Sequence, residues 1–350
     1  MRLVEGPDRE RFLSLPWPLY AQDPYWVPPL KNELRTLLAP DGPFFEHAQG
    51  QLWIVEHQGK DLGRLGAFLD RSLATLGFFE CVDDPAISGM LFAAAEDWLR
   101  ARGAQRALGP LSPTLQETVG VLLEGEPGSP TLMMAYNPPY YPRLFEAAGY
   151  SRGRDFLAYW LAPGAAPGEL PEAYRVRGLE RPRLVCEVKR FTALHNLCYS
   201  HAGHYAFQAI TEREAEQLAA ALGALLDPRL VLLVEREGEL VAALAALPDA
   251  NPALRHFNGE LSVSGMLRFW WARRKLEAIR IMDVLVAPAH QGRGLGTRLV
   301  ERILAEAARR GCARVEYSGV VEDNEPSHRL ARRFGGRVAR RYRVYEKALA

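Results

Sequence analysis

Three stretches in the first half of this 350-residue chain recur, in the same order, in the second half. Residues 54–70, IVEHQGKDLGRLGAFLD, match 233–249, LVEREGELVAALAALPD. Each reads as a strand, a charged turn at Gly59 or Gly238, and a second strand ending in Asp. Residues 98–109, WLRARGAQRALG, match 306–317, EAARRGCARVEY: a helix closing on arginines, stopped by Gly103 or Gly311, then a short strand. Residues 137–161 match 324–349 through Asn, Pro, a short helix, Gly149 or Gly335, and an aromatic-rich strand carrying Tyr159 or Tyr345. The offsets are about 180 to 210 residues, the size of a domain. A single helix-Gly-strand match is common; three in register specify a duplicated α/β plan. The break falls in LAPGAAPGELPEAYR, residues 161–175, rich in Ala, Pro and Gly and without apolar periodicity. The expected domains are therefore 1–165 and 172–350, with 248–275 reading as an insertion in the second copy.

The overall charge argues against two classes of partner. Net charge is +1, so no global field draws nucleic acid or an anionic membrane. No apolar run reaches the ~20 residues of a membrane helix. The opening MRLVEGPDRERFLSLPW lacks the apolar stretch of a leader peptide. Cys81, Cys186, Cys198 and Cys312 are scattered without CxxC spacing, which favours reduced thiols in a cytoplasm over disulfides or zinc. The expectation is a cytoplasmic protein with no metal, no nucleic-acid partner and no membrane partner.

One copy carries something the other lacks. In VLVAPAHQGRGLGTRLVERIL, residues 284–304, an apolar strand ends at Pro288 and three glycines follow at alternate positions, Gly292, Gly294 and Gly296. Leu295, Leu299, Ile303 and Ala307 then share a helical face, with Val300, Leu304 and Ala308 beside them. Such a turn aims free backbone amides and the positive helix end at one point, which suits a phosphate. A Walker loop needs a Lys that is absent. A GxGxxG fingerprint would need glycine at Thr297 or Leu299. What remains is Gln291-x-x-Gly294-x-Gly296. In the first half the matching place is FFECVDDPAISG, where Asp83 and Asp84 would repel an anion and Pro85 has no donor.

This pattern resembles the acetyl-CoA signature of the GNAT acyltransferase superfamily, [Q/R]-x-x-G-x-[G/A]. IRIMDVLVAP resembles that family's central strand, and ARVEYSGVVEDNEPSHRLARRFGG its next strand, asparagine and short helix. The resemblance is strongest over about 185–349, and the whole chain is similar to bacterial tandem-GNAT proteins through DPYWVPPL and GFFE. It implies two GNAT-like α/β (α+β) domains, each a mixed, mostly antiparallel sheet flanked by helices. The first would be degenerate and the second would hold acetyl-CoA or another acyl-CoA. Val284, Leu285 and Val286 would meet the pantetheine arm. Backbone amides of Gln291, Gly292, Arg293, Gly294, Leu295, Gly296 and Thr297 would hold the pyrophosphate. Asn324 would bond near the thiol end. The acceptor would be an amine on a small molecule or peptide, with the chain a pseudo-dimeric monomer or a homodimer. A silent acyl-CoA-binding or regulatory protein is the other reading.

Transfer to an amine requires loss of an ammonium proton and stabilisation of an oxyanion and a thiolate. Candidate groups are Asp283 on the central strand and Tyr317 on the next, with Glu316, Glu322 and Asp323 nearby. The family's acid tyrosine in N-x-x-A-x-x-L-Y is missing: Leu330 matches and Ala331 follows. Tyr317, Tyr342 or Tyr345 would have to substitute. His195, His201 and His204 cluster without zinc spacing. MLRFWWARRK, 266–275, reads either as a basic amphipathic surface for a lipid or partner, or as Phe269, Trp270 and Trp271 packing the insertion on the core, the second being preferred.

Overall fold

The computed structural model describes residues 1–349 apart from 165, 224 and 273–276. Residues 273–276 include the end of the segment 266–275 singled out above, and that end lies outside the described residues. The chain forms two compact units. The first comprises Met1–Phe156, Leu254–Phe269 and Arg340–Ala350; the second comprises Leu157–Ala253 and Trp270–Ala339.

In the first unit β1 (Arg2–Glu5), β2 (Ala48–His57), β3 (Lys60–Asp70) and β4 (Leu73–Cys81) form an antiparallel run. β5 (Arg106–Gly109) joins β4 in parallel, with Ala74 opposite Ala107. A parallel neighbour needs a crossover, supplied by α1 (Pro85–Arg100), which buries Ile87, Leu91, Phe92, Ala95 and Leu99. The strand on the other side of β5 is the last of the chain, residues 340–348, antiparallel with Tyr345 opposite Gly109.

The second unit repeats this order. β6 (Ser151–Leu161) comes before the linker, and its residues 157–161 belong here. β7 (Arg175–Gly178), β8 (Val231–Arg236), β9 (Glu239–Pro248) and β10 (Ala278–Val286) are antiparallel neighbours. β11 (Arg314–Val321) joins β10 in parallel, and β6 lies beyond β11. Helices α2 (Leu184–Ala202) and α3 (Glu212–Leu222) follow β7, and α4 (Val263–Ala272) is divided, its residues to Phe269 belonging to the first unit. α5 (Leu295–Arg309) makes the crossover, α6 is Glu325–Arg333, and β12 is Arg337–Ala348. The duplicated plan is thus real, but each unit is closed by the final strand of the other half. Sequence order puts the break at 165–172; strand pairing decides membership, so 157–161 move to the second unit and 340–348 to the first. The insertion also divides, with Leu254–Phe269 in the first unit. Among the described residues no helix is long and apolar enough to cross a membrane.

α5 shows why the second unit is stable. Leu295, Leu299, Val300, Ile303, Leu304 and Ala307 are buried against Ile279, Ile281, Val315 and Tyr159. Each large aliphatic among them contributes roughly 1.5–3 kcal/mol of burial. Ala308, expected beside that face, is exposed. In the first unit the corresponding support is polar as well. Glu80 accepts hydrogen bonds from the hydroxyls of Tyr20 (2.8 Å) and Tyr141 (2.7 Å) and lies 3.8 Å from Arg64. Burial pushes the Glu80 carboxyl up despite the Arg64 guanidinium.

Candidate acyl-CoA site and active site

The site forms where β10 and β11 part. Their parallel pairing covers Ala278–Ile281 against Arg314–Tyr317 and ends there. On its other side β10 stays paired with β9 as far as Val286, opposite Ala242. A bulge at Met282 marks the change: Ala246 faces Ile281 and Ala245 faces Asp283. One extra residue bends the strand and resets its alternation. After it, Val284 and Val286 pack toward α5, while Leu285 joins Leu194 on the α2 side. The edge of β10 beyond Ile281, facing away from β9, carries amides and carbonyls that bond to neither sheet strand. Backbone groups so placed need a partner, and an amide-rich arm provides one.

At the end of that edge, Gln291 Nε2 donates to the Val286 carbonyl at 3.3 Å. Gly292 and Gly294 adopt left-handed backbone, φ +73° and +77°, and Gly294 is the N-cap of α5 with no side-chain cap. The first capping bond runs from the Arg298 amide to the Gly294 carbonyl, 3.0 Å, so Leu295, Gly296 and Thr297 have no intrahelical acceptor for their amides. Gln291, Gly292, Arg293 and Gly294 are exposed. Gly296 matters for packing instead. A Cβ there would lie 3.3 Å from Val284 Cγ1, so its absence lets α5 approach β10 closely. These residues fit a pyrophosphate beside a pantetheine arm.

The first unit offers the same elements already filled. The Val82 amide bonds the Leu62 carbonyl as the Ala287 amide bonds Val241, which places Cys81 where the second unit has Val286. The Cys81 amide donates to the Tyr141 hydroxyl at 3.0 Å, and the Cys81 carbonyl accepts from the Tyr140 hydroxyl at 2.8 Å. At the helix end, Asp84 accepts from the Ala86 amide at 2.8 Å, Pro85 is the first helical residue, and Asp83 pairs with Arg143. The carboxylates were legible in the sequence; the two tyrosines on the strand edge were not.

Asp283 and Tyr317 both sit at the mouth of the splay. The Tyr199 hydroxyl, from α2, donates to Asp283 Oδ1 at 2.9 Å. Burial, then Asp283, push the Tyr199 phenol well above its ordinary value. Tyr199 stacks on His195, centroids 4.1 Å apart, and on His204 at 4.4 Å. Tyr317 is buried, bonds Ser327 through its hydroxyl, and is pushed up to about 12 by burial. Glu316, on the preceding position of β11, is fully buried, and Asp323 is exposed. Asn324 caps α6, its side chain accepting from the Ser327 amide at 3.2 Å. His328 Nε2 meets the Glu322 carbonyl at 3.0 Å, so that nitrogen carries the proton and Nδ1 accepts from the Tyr159 hydroxyl at 2.8 Å. Tyr342 and Tyr345, weighed above as substitute acids, belong to the first unit, where Tyr345 stacks on Phe145. Among the described residues no three His, Cys, Asp or Glu side chains are grouped to hold a metal.

The aromatic stack escapes a reading that weighs the three histidines only as metal ligands. The signal for it is the four-residue spacing of His195 and Tyr199, which puts both rings on one helix face.

The His204 imidazole is held below its ordinary value by burial, with His195 adding to this and Asp323 and Asp283 opposing it. An unfolded chain therefore binds this proton more tightly than the folded one. The stability contributed by neutral His204 is full above the unfolded value near ~6.5 and is lost as pH falls through the folded one. His204→Phe, which keeps a ring on Tyr199, should flatten the acid side of the stability profile. Thermal midpoints of both proteins between pH 7 and 5 check this; parallel profiles would assign the acid sensitivity elsewhere.

The acetyltransferase (GNAT) family model matches residues 189–336. A bacterial ceramide synthase of Caulobacter vibrioides is 33% identical over 97% of this chain and 94% of its own length. The chain belongs to the GNAT family. Protein YghO of Escherichia coli is 28% identical over 98% of this chain and 93% of its own. Two solved structures share the fold of this GNAT chain at low identity. A tandem GNAT protein from the clavulanic acid biosynthesis pathway aligns with TM-score 0.59 and 15% identity, covering 100% of this chain and 99% of that one. A GCN5-related N-acetyltransferase from Sphaerobacter thermophilus aligns with TM-score 0.55 and 16% identity, covering 99% and 96%. The GNAT chain is an acyltransferase with a tandem architecture. Its α6 departs from the family pattern at Ala331, which is fully buried in the core of the second unit.

Proposed function

We propose that the second unit binds one acyl-CoA per chain and transfers its acyl group to an amine. The observation that carries this is the unpaired edge of β10 leading into the uncapped glycine end of α5. Amides of Gln291, Gly292, Arg293, Gly294, Leu295, Gly296 and Thr297 surround the pyrophosphate position, and Val284, Leu285 and Val286 line the pantetheine position. Asn324, through the part of its amide not spent on capping, lies on the thiol side. The bound cosubstrate supplies the activated acyl group. The protein's contribution is to orient it, accept an ammonium proton at Asp283 directly or through water, and donate a hydrogen bond from Tyr317. A phenol pushed up to about 12 stays protonated across the neutral range, so Tyr317 suits hydrogen-bond donation to developing negative charge better than net proton transfer.

Acetyl-CoA is the simplest donor. The relative named ceramide synthase points further, because a ceramide is a long-chain amino alcohol carrying an amide-linked fatty acid. A long-chain aliphatic amine and a long acyl-CoA are therefore the acceptor and donor to test beside acetyl-CoA and short amines. Calorimetric titration with CoA should give one site per chain. Free thiol release should then rise only with a suitable amine present and should increase with pH as the ammonium is lost. Two sites would mean that Tyr140, Tyr141 and Asp84 do not close the first unit. Binding without turnover on any amine would leave a protein that holds acyl-CoA without transferring it.

A further inference from the structure

Five of the ten most exposed large apolar side chains among the described residues fall within eleven positions: Leu261, Val263, Met266, Leu267 and Trp271. Val263 is 82% and Leu267 70% exposed. They belong to or adjoin helix α4, and the fold explains why they point outward. Gly265 is buried, and a Cβ there would meet Phe257 Cδ1 at 2.7 Å. Phe269, one helical turn later, packs on the same Phe257 ring with centroids 5.5 Å apart. Gly265 and Phe269 thus define the inner face. Val263, Met266 and Leu267 occupy the other side at spacings of three and four. Of the aromatics expected to pack the insertion on the core, Phe269 packs on Phe257 within the insertion itself, Trp271 is 64% exposed, and the Trp270 side chain lies outside the described residues.

In the sequence, the segment that carries most of this stripe is cationic between Glu260 and Glu277. Residues 263–276 contain Arg268, Arg273, Arg274 and Lys275 and no Asp or Glu, in a chain whose net charge is only +1. An apolar stripe whose own segment carries only cations matches the boundary between anionic headgroups and acyl chains. It does not match a second copy of itself, since both copies would carry the same cationic segment with no acid inside it to pair with.

We propose that α4 is an interfacial helix by which the protein docks on an anionic lipid bilayer, laying Val263, Met266 and Leu267 into the headgroup boundary. The chain would then be peripheral to a membrane, revising the expectation of no membrane partner. This goes beyond acyl transfer and is read without it, by binding alone.

The experiment is co-sedimentation of the full-length protein with vesicles of phosphatidylcholine alone and of phosphatidylcholine mixed with phosphatidylglycerol. The wild type should pellet with the mixed vesicles and release as salt rises. The double variant Val263→Glu/Leu267→Glu should bind at least ~10-fold more weakly, because it loses apolar burial and adds repulsion. Its CoA titration and thermal midpoint should match the wild type, showing a folded protein. Wild type remaining in the supernatant with both vesicles overturns the proposal. So does a double variant that pellets as well as the wild type. A concentration-dependent dimer abolished by the double variant, without vesicle binding, would assign the stripe to a second copy.

Discussion

Gly294→Glu should abolish acyl-CoA binding while leaving the fold intact. Space is not the obstacle, since a Cβ at Gly294 meets nothing within 4 Å. The backbone is: at φ +77° a side chain costs about 1–2 kcal/mol. A carboxylate beside the first turn of a helix recovers part of that, which protects the fold. The same carboxylate occupies the point where the amides of Leu295, Gly296 and Thr297 converge and repels a pyrophosphate there. The expected loss of affinity is at least ~100-fold, taking about 3 kcal/mol for like charges in close contact at a protein surface. Gly294→Ala separates the two causes. It carries the backbone cost without the charge and should lower the thermal midpoint by a few degrees with a small change in affinity. Calorimetry on both variants gives the answer. Equal losses would make backbone geometry the determinant, and wild-type affinity in Gly294→Glu would put the cosubstrate elsewhere.

The other large effect belongs to Asp283. Asp283→Asn keeps the shape and the Tyr199 contact, reversed in polarity if the amide donates, but cannot take a proton. A general base of this kind accounts for roughly 10²–10⁴ in rate, so kcat should fall by that order while CoA affinity stays. Tyr199→Phe removes the 2.9 Å hydrogen bond to Asp283 and keeps the ring between His195 and His204. As a positioning residue, Tyr199 should cost less in kcat than Asp283. Losing its hydroxyl should lower kcat and leave acyl-CoA affinity unchanged, because Asp283 loses the donor that orients it while the glycine turn is untouched. An unchanged kcat in Tyr199→Phe would reduce Tyr199 to packing. Full activity in Asp283→Asn would remove the carboxylate from the chemistry.

The glycine turn was legible because it is a feature of the backbone. Three alternate glycines after an apolar strand mark the turn in the sequence, the left-handed backbone of Gly292 and Gly294 is seen in the structure, and the apolar stripe of α5 follows from its 3.6-residue period. The duplication was legible for the same local reason. What sequence order hid was non-local. Nothing in SRGRDFLAYWL tells which β5-like strand it will pair with, since both halves end in an aromatic-rich strand of the same character. The Tyr140 and Tyr141 hydroxyls on the Cys81 edge were hidden likewise, 59 and 60 residues away in the chain. The family's missing tyrosine at Ala331 was visible in the sequence; the phenols near the splay, Tyr199 and Tyr317, are brought to Asp283 only by the fold.

The closing strands also set an order of assembly during synthesis. Domains on a growing chain generally fold from the N-terminus as they emerge. Here the strand that flanks β11 is already made when the second half begins to appear, since residues 157–161 precede it. The first unit has no such advantage. Its β5 waits for residues 340–348, which follow the second unit's strands in the chain, with Tyr345 settling opposite Gly109 only then. The half translated first is the half completed last. A premature stop that removes Arg340–Ala350 would therefore spare the strands around the candidate acyl-CoA site and damage the oldest part of the nascent chain.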